Sequence, residues 1–392
     1  MRIGVFSDSY RPYVSGVVLS IETFSRELAH LGHEIFVFAP EYPQVKGERE
    51  PHIFRFPSFH TPINPEFYIA LPFLWAARKY ASGIGLDLVH VHSPFMLGQV
   101  GVNLARYLNI PAVFTYHTLY DQYMHYAPLA GQITKKGMVK YASNFCNRCD
   151  LVITPTEVIK EMIQGHGVKK PVIAIPTGVY PERFQAGDPG FLNKNFGISQ
   201  DTKVLLFVGR IGKEKNLSFL LRAFALIAEQ ERDAVLVLVG SGPEETVLHY
   251  SAMDLGIGER VIFTGKLPPE TVAGAYRSAD IFVFPSVTET QGLVLVEAMA
   301  AGLPVVAKAA YGSLAMVEDG ITGFLCQGEE DEFAEKTLSI LSDPELKLRM
   351  SESALRKAEE LAADKMALRL ESAYLALING NHDKLWQMGE EG

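Results

Sequence analysis

The chain has 392 residues, of which 48% are hydrophobic and 21% are charged, and its formal net charge is −9 at pH 7. This composition is that of an ordinary globular protein of two or three domains. The negative charge argues against nucleic acid as the main partner, and three cysteines are too few for a disulfide framework. We therefore expect a globular protein of a reducing compartment such as the cytoplasm.

The N-terminal residues M-R-I-G-V-F-S-D predict a strand and not a signal peptide, because the apolar run is short and ends at a serine and an aspartate. The most apolar surface-like window, 68–77, is too short to span a bilayer. We expect a soluble protein that at most lies on a membrane surface.

Short apolar runs alternate with stretches of helical periodicity along the whole chain. Most of the runs are apolar at nearly every position, which is typical of strands that are covered on both faces. This alternation predicts parallel sheets with right-handed crossovers. The predicted strands span residues 2–6, 34–40, 86–92, 112–117, 151–156, 172–176, 203–209, 234–240, 260–265, 281–286, 304–308 and 323–326.

The strand–helix pattern runs twice, and the Gly- and Pro-rich stretch between the two runs, 177–191, is interpreted as a linker. The sequence thus predicts an α/β protein of two doubly wound parallel-sheet domains, 1–180 and 190–363. The C-terminal segment, 364–392, begins with an amphipathic helix and is expected to return to the first domain. Because ligands bind outside the carboxyl ends of parallel strands, we expect the functional site in a cleft between the domains.

Two acids, Glu289 and Glu297, flank a glycine and an apolar run in T-E-T-Q-G-L-V-L-V-E. A predicted strand ends just before them and a helix begins near Gly292 and Leu293, so that the helix start could bind a phosphate. Glu297 could then accept hydrogen bonds from ribose hydroxyls, and Glu289 from the hydroxyls of a group beyond the phosphate. The alternative is a capped helix with one solvated glutamate.

A second candidate segment, F-V-G-R-I-G-K-E-K-N at 207–216, also follows a predicted strand. Arg210 offers a planar fork of donors and Lys215 a compact charge, a combination that suits a diphosphate without a metal ion. The alternative is two solvated loop cations. The short G-S-G-P at 240–243 is interpreted only as a turn.

In the first domain, the loop at 8–18 leads into a predicted helix, where Gly16 could approach a phosphate closely. His117 follows an apolar strand at its carboxyl end and is the favoured functional histidine. His90 and His92 have similar positions, but His90 is interpreted as a hydrogen-bonded packing residue. Cys146 and Cys149 form one C-x-x-C without a second pair, so they are interpreted as two thiols on one helix face and not as a metal site.

These segments together resemble the retaining glycosyltransferases of the GT-B fold, family 4 type. The resemblance rests on E-x7-E with G-L-V-L-V-E-A-M-A-A-G following, on V-G-R-I-G-K-E-K-N, on V-S-G-V near the N-terminus and on Y-H-T, in the same order and spacing, and it covers nearly the whole chain. It implies two facing domains and transfer of a sugar from a nucleotide sugar with retention, without a divalent metal at the donor site. No D-x-D arrangement in the sequence argues otherwise.

The resemblance also implies a role for each candidate residue. Arg210 and Lys215 neutralise the donor diphosphate, Glu297 binds the ribose and Glu289 the donor sugar. From the first domain, a backbone group contacts the diphosphate and a histidine contacts the sugar near its reacting carbon. The implied catalytic set is His117, Arg210, Lys215 and Glu289, and the implied donor-binding set is Gly16, Arg210, Lys215, Glu289, Gly292, Leu293 and Glu297.

Within this family, the stretches 116–128 and 145–150 look most like those of enzymes that glycosylate diacylglycerol on the cytoplasmic face of the membrane. They imply UDP-glucose as donor and a lipid acceptor. A mannosyl- or other hexosyltransferase acting on a soluble or phosphoinositide acceptor, and a nucleotide-sugar epimerase, are the alternatives. A glycoside hydrolase that uses Glu289 and Glu297 is disfavoured, because Arg210 and Lys215 have no role in such an enzyme.

The segment 132–149 carries only positive charges in a protein of negative net charge, and apolar residues are interleaved with them. Such a basic amphipathic segment could contact an anionic bilayer. The alternative is a solvated helix face. Aromatic residues at 54–75 form either part of the acceptor side or part of the core. The charges of the basic segment are Lys135, Lys136, Lys140 and Arg148, and its apolar residues are Ile133, Met138, Val139, Tyr141 and Phe145.

Overall fold

The computed structural model describes residues 1–47, 50–60, 68–72, 74–120 and 135–390. The chain folds as two compact units, each with its own sheet and core. The first unit comprises Met1–Gly178 together with Ala363–Gly392, and the second comprises Val179–Ala362.

The first unit is built on a seven-stranded parallel sheet with the strand order β3-β2-β1-β6-β7-β8-β9. A separate antiparallel pair, β4 and β5, lies outside this sheet. The order reverses between β1 and β6, which are direct neighbours, so the chain leaves the sheet centre in both directions. The nine strands described in the first unit are β1 (Arg2–Phe6), β2 (Glu34–Pro40), β3 (Ile53–Phe56), β4 (Ser58–His60), β5 (Tyr68–Ala70), β6 (Leu88–Val91), β7 (Ala112–Thr115), β8 (Leu151–Thr154) and β9 (Val172–Ala174).

The helices of the first unit come from both ends of the chain. After the second unit the chain returns, and its penultimate helix packs against the first helix, where Leu370 and Tyr374 are buried. The C-terminal segment thus completes the first unit. The helices are α1 (Gly16–His30), α2 (Leu74–Ile84), α3 (Met96–Leu108), α4 (Lys135–Cys146), α5 (Glu157–Gly165), α15 (Ala363–Ile378) and α16 (His382–Glu390).

The second unit has a six-stranded parallel sheet with the order β12-β11-β10-β13-β14-β15, which reverses between β10 and β13. Its strands are β10 (Lys203–Val208), β11 (Ala234–Val239), β12 (Val261–Gly265), β13 (Ile281–Phe284), β14 (Val305–Lys308) and β15 (Gly323–Cys326). Its helices are α6 (Pro181–Gln185), α7 (Phe191–Phe196), α8 (Leu217–Gln230), α9 (Glu245–Asp254), α10 (Val272–Arg277), α11 (Leu293–Ala300), α12 (Tyr311–Met316), α13 (Glu330–Ser342) and α14 (Pro344–Glu360).

All twelve predicted strands are present, and in both sheets most residues of the central strands are buried because helices cover both faces. Three further strands were not predicted: polar residues interrupt β3 and β4, and β5 has only three residues. The prediction of a linker at 177–191 is wrong for residues 181–191, because this part contains α6, which packs against α10 and α11. A Cβ at Gly187 would lie 2.4 Å from the carbonyl oxygen of Ala273, so this segment is closely packed.

Within the described residues, no helix combines the length and the apolar character that crossing a membrane requires.

Candidate functional site

The loops that follow β10 and β13 meet at the point where the strand order of the second sheet reverses. In open parallel sheets, this edge is where ligands bind. Arg210 and Lys215 follow β10, and Glu289 follows β13. The sheet topology therefore brings together three of the predicted site residues that are far apart in the sequence.

Lys215 and Glu289 form a salt bridge, with side chains only 16% and 20% exposed. The hydroxyl of Ser286 lies 3.5 Å from the same carboxylate and donates to the carbonyl oxygen of Glu214 at 3.1 Å. The Asn216 side-chain amide donates to the carbonyl oxygen of Pro285 at 3.3 Å. These bonds join the two loops into one polar cluster.

The guanidinium of Arg210 is more exposed, at 45%, and forms an ion pair with the carboxylate of Glu214 at 4.0 Å. In the cluster, Arg210 thus pairs with the carboxylate of Glu214, and Lys215 pairs with that of Glu289. A diphosphate that binds here would compete with both carboxylates for the two cations, and a planar guanidinium can contact a phosphate through two N–H groups at once.

The loop at 240–243 supports the Arg210 loop and is more than the isolated turn that its sequence predicts. Gly240 has a φ of +135°, and a Cβ there would lie 1.9 Å from the carbonyl oxygen of Gly209. The amide of Ile211 donates to the carbonyl oxygen of Ser241 at 3.0 Å, and that of Glu244 donates to the carbonyl oxygen of Ile211 at 3.1 Å. Only glycine allows this close approach. In the sequence, the G-S-G pattern is the feature that could have indicated this contact between the two loops.

Helix α11 begins directly after the Glu289 loop. Gly292 is its N-cap residue, with a φ of +78° in the left-handed region that favours glycine, and Leu293 is the first helical residue. The amide of Gly312, in α12, donates to the carbonyl oxygen of Glu289 at 2.9 Å. The loop is therefore held from its other side by a helix that the sequence analysis did not connect with the site.

Glu297 lies in the middle of α11 and is half-buried. Its carboxylate accepts a hydrogen bond from the hydroxyl of Tyr276 at 2.8 Å. Burial raises the pKa of Glu297, and the hydrogen bond from Tyr276 together with the charge of Arg183 partly offsets that rise. The structure thus gives Glu297 a partner apart from the Lys215–Glu289 pair. No motif in the sequence predicts a functional role for Tyr276, because its helix α10 lies outside all the motifs described above.

The first unit contains the remaining two predicted residues. Gly16 is exposed at the first position of α1, behind the N-cap Ser15, whose hydroxyl accepts from the amide of Val18 at 3.3 Å. His117 is half-buried, two residues after β7, and its Nε2 lies 2.8 Å from Nδ1 of His92.

His90 is 3% exposed and has partners on both ring nitrogens: Tyr374 at Nδ1, 2.5 Å away, and Thr115 at Nε2, 2.7 Å away. These contacts agree with the interpretation of His90 as a packing residue. Burial lowers the pKa of His90 and of His117 to about 3, and it lowers that of His92 well below the usual value. The three imidazoles are therefore neutral at pH 7.

Asp8 is a half-buried acidic residue that the motif analysis missed. It follows β1, accepts from the hydroxyl of Ser93 after β6, and accepts from the amide of Leu97 at 2.9 Å. It thereby caps α3 and ties the ends of the two central strands together. Burial raises the pKa of Asp8, although both hydrogen bonds oppose the rise.

The thiols of all three cysteines are free and buried, and burial raises the pKa of Cys146 to about 12. The two thiols do not share a helix face as expected, because α4 ends at Cys146 and Cys149 lies in the turn beyond it. Across the described ranges, no group of three or more His, Cys, Asp or Glu side chains could hold a metal ion.

Helix α4 carries most of the basic segment and has an exposed and a buried face. Lys135, Lys136 and Lys140 are exposed, whereas Met138 and Phe145 are buried in the core. Of the interleaved apolar residues, Met138 and Phe145 are therefore core residues, whereas Val139 is half-buried and Tyr141 is 38% exposed. Contact of this helix with a membrane stays a prediction. Arg148 is held on α3 by hydrogen bonds to Gln99 and Asn103. Residues 121–134, which include Ile133 and most of the 116–128 stretch, lie outside the described residues.

Two protein-family models match this chain. The model described as Glycosyltransferase Family 4 matches residues 14–183, and the one described as Glycosyl transferases group 1 matches residues 192–357. The chain is a family 4 glycosyltransferase. It uses a nucleotide-sugar donor, as this family does, and belongs to the retaining enzymes.

Curated relatives of this glycosyltransferase match it over 83–98% of its length. The alpha-monoglucosyldiacylglycerol synthase of Streptococcus pneumoniae is 34% identical over 98% of this chain and 88% of its own. The enzyme of the same name from Acholeplasma laidlawii is 31% identical over 98% of this chain and 99% of its own. A GDP-mannose-dependent alpha-mannosyltransferase of Corynebacterium glutamicum is 30% identical over 83% of this chain and 76% of its own.

Solved structures similar to the glycosyltransferase show its fold. The sucrose-phosphate synthase of Thermosynechococcus elongatus has a TM-score of 0.80 at 24% identity and covers 97% of this chain and 99% of its own. Anabaena HepE in complex with UDP-glucose has a TM-score of 0.78 at 20% identity, over 96% and 100% of the two chains. The predicted GT-B fold of two parallel-sheet domains is thereby confirmed. The roles of the individual site residues stay predictions.

Proposed function

We propose that this glycosyltransferase moves glucose from UDP-glucose to a diacylglycerol-type lipid, with retention of the anomeric configuration. The proposal rests on two relatives that are 34% and 31% identical over 98% of this chain. Both are named alpha-monoglucosyldiacylglycerol synthase. Full-length similarity matters here because acceptor specificity depends on residues outside the donor motifs.

In this proposal, Arg210 and Lys215 hold the donor diphosphate. Their convergence on the switch point of the second sheet supports the assignment, as does the hydrogen bonding that joins their loop to the Glu289 loop. Negative charge accumulates on the phosphate as the bond to the sugar breaks. Fixed cations that meet this charge stabilise the transition state more than the bound substrate.

Glu289, beside Lys215, accepts hydrogen bonds from the hydroxyls of the donor sugar. Gly292 and Leu293 direct the N-terminus of α11 at the diphosphate, since the first amides of a helix have no acceptor within the helix. Glu297, in the middle of the same helix, accepts from the ribose hydroxyls while Tyr276 fixes one side of its carboxylate.

From the first unit, the backbone at Gly16 contacts the diphosphate and His117 contacts the sugar near the reacting carbon. The exposure of Gly16 at the start of α1 and the neutral state of His117 support these roles. A neutral imidazole can donate or accept a hydrogen bond without repelling positive charge that develops at the sugar. The departing phosphate oxygen takes the proton of the acceptor hydroxyl, so the transfer needs no separate base and no divalent metal.

The acceptor side is proposed to lie peripherally on the cytoplasmic face of an anionic membrane. The three exposed lysines of α4 support this, and they line a cavity of about 520 Å³ to which His166 also contributes. Each cation close to an anionic surface contributes on the order of 1 kcal/mol to binding. Trp75, 68% exposed at the start of α2, is an aromatic side chain of the kind enriched at membrane interfaces.

Mannosyl transfer is the second candidate, favoured by the Corynebacterium glutamicum relative with a GDP-mannose-dependent activity. Membership of family 4 argues against the epimerase and hydrolase alternatives. The deciding experiment offers UDP-glucose, UDP-galactose, ADP-glucose and GDP-mannose in turn, with dioleoylglycerol in mixed micelles or with inositol phosphate. Mass spectrometry identifies the product, and the anomeric proton coupling reports its configuration.

An alpha-glucosyl diacylglycerol formed only from UDP-glucose is the expected result. A mannosylated product, or a product formed only with inositol phosphate, would replace the proposed substrate pair. A beta-linked glucoside would refute retention.

A further inference from the structure

Three histidines from two neighbouring strand ends form a stack in the first unit. His90 lies in β6, His92 follows it, and His117 follows β7, which pairs with β6 in parallel. The His90 and His92 ring centroids are 4.2 Å apart, and those of His92 and His117 are 5.1 Å apart with nearly parallel planes. His92 is thus held between the packing residue and the proposed sugar-contacting residue.

The far end of the stack is anchored by the C-terminal part of the chain. Tyr374, fully buried in α15, bonds to Nδ1 of His90, and Thr115 bonds to Nε2. Because both nitrogens of His90 have partners, its ring cannot turn without breaking a buried hydrogen bond. His92 therefore rests on a fixed surface.

The contact between His92 and His117 has a chemical consequence. Each ring is neutral and carries a single N–H, so the 2.8 Å contact between His92 Nδ1 and His117 Nε2 contains one proton. If His92 donates, His117 must carry its own proton on Nδ1. If His117 donates, its Nδ1 is an acceptor. His92 thus determines whether Nδ1 of His117, the nitrogen that it does not contact, donates or accepts a hydrogen bond.

We propose that His92 is a positioning residue for sugar transfer, which fixes both the ring plane and the tautomer of His117, and that His90 and Tyr374 hold His92 in place. The proposal rests on the proposed contact between His117 and the donor sugar. It makes the C-terminal helix α15 part of the catalytic architecture, although no residue of that helix belongs to a sequence motif.

Two substitutions at His92 separate hydrogen bonding from packing. His92→Phe keeps an aromatic ring in the stack but cannot bond to His117. His92→Asn places an amide group near the former position of Nδ1 and can restore the bond. We expect His92→Phe to lower kcat with UDP-glucose and dioleoylglycerol about tenfold, as loss of an orienting partner commonly does, with UDP affinity unchanged. His92→Asn should recover most of the loss.

A measurement on the protein without substrates tests the same point. With ¹⁵N-labelled histidine, the imidazole nitrogen shifts distinguish the two neutral tautomers, and His117→Gln assigns the His117 signals. In the wild type we expect a single tautomer of His117, in His92→Phe a mixture, and in Tyr374→Phe a smaller change in the same direction. His249→Phe is the matched control, since it replaces a histidine that stacks on Phe263 in the second unit.

The outcomes distinguish this inference from the proposed function. If His117→Ala retains wild-type kcat, the sugar contact of His117 is wrong, and the positioning role falls with it. If His117→Ala loses activity while His92→Phe keeps both the kcat and the ¹⁵N pattern of the wild type, only the positioning role is refuted. The positioning role is also refuted if His92→Phe and His92→Asn lose the same share of kcat, in proportion to the fraction of protein that is folded. Such a result would indicate that His92 has a structural role alone.

Discussion

Lys215 and Glu289, 74 residues apart in the sequence, form a salt bridge that joins the loops after β10 and β13. The pair places one cation and one carboxylate at the switch point of the second sheet. In the proposed mechanism these two groups serve neighbouring parts of the donor, the diphosphate and the sugar.

Replacing Lys215 with alanine should therefore impair turnover more than donor binding. Charge on the phosphate grows as the transition state is reached, so we expect kcat to fall about 10²-fold and UDP affinity to change much less. Steady-state kinetics and calorimetric titration with UDP provide the two numbers. Lys213→Ala, at an exposed residue of the same short 3-10 helix, is the control. A change confined to donor affinity would contradict the catalytic role.

Glu297→Ala should weaken UDP binding itself, because the proposed partner of its carboxylate is the ribose. A charged hydrogen bond is worth about 1.5–3 kcal/mol, so we expect a loss of affinity of at least about tenfold. Tyr276→Phe removes the hydroxyl that bonds to Glu297 but keeps the carboxylate, and it should cost much less affinity. Unchanged UDP affinity in Glu297→Ala would count against the ribose contact.

Gly312→Ala should disturb the Glu289 loop from the side of α12. The new Cβ would lie 2.5 Å from the carbonyl oxygen of Gln291, and the amide of Gly312 bonds to the carbonyl oxygen of Glu289. We expect a loss of kcat of about tenfold or more, since small misplacements at a site are costly. Gly165→Ala, where a Cβ meets no atom within 4 Å, is the control. Wild-type kinetics would show that the loop tolerates the shift.

The buried histidines should make the first unit sensitive to acid. The pKa of His90 is about 3 in the folded protein and near 6.5 when unfolded, so the unfolded state binds more protons between these values. The stability is fully present above pH 6.5 and is lost as the pH falls towards 3, with a slope of about 1.4 kcal/mol per pH unit for each such histidine.

Replacing His90 with phenylalanine should reduce that slope by about one proton, as measured by denaturant unfolding at pH 7, 6 and 5. Asp8 has the opposite sign, because a raised carboxyl pKa favours the folded state at low pH, so Asp8→Asn should increase the slope. An unaltered slope in His90→Phe would contradict the neutral, buried state of this ring.

Neutralising Lys135, Lys136 and Lys140 together with glutamine should weaken binding to phosphatidylglycerol vesicles. Three cations at about 1 kcal/mol each predict a fall in partition coefficient of roughly 10²-fold at low salt. The same charge change at the exposed Lys194, Lys365 and Lys384 is the control. Equal binding of both triple variants would refute the contribution of α4.

Local sequence patterns suffice to predict much of this molecule. Every strand with a continuous apolar run is found, since strands covered on both faces must be apolar at nearly every position. The motifs around Arg210 and Glu289 are predictable for a related reason: glycines and charged residues directly after a strand lie at the sheet edge where ligands bind. The edge strand β3 and the pair β4–β5 escape prediction because polar residues interrupt β3 and β4 and because β4 and β5 have only three residues each.

The partners of those residues depend on the tertiary structure. Tyr374 reaches His90 across 284 positions, Tyr276 reaches Glu297 from a helix without a motif, and the basic helix α4 turns Met138 and Phe145 into the core. Hydrogen bonds and burial between elements are set by how strands order in a sheet and how helices pack on it. Periodicity within one segment carries no information about which distant segment will lie against it.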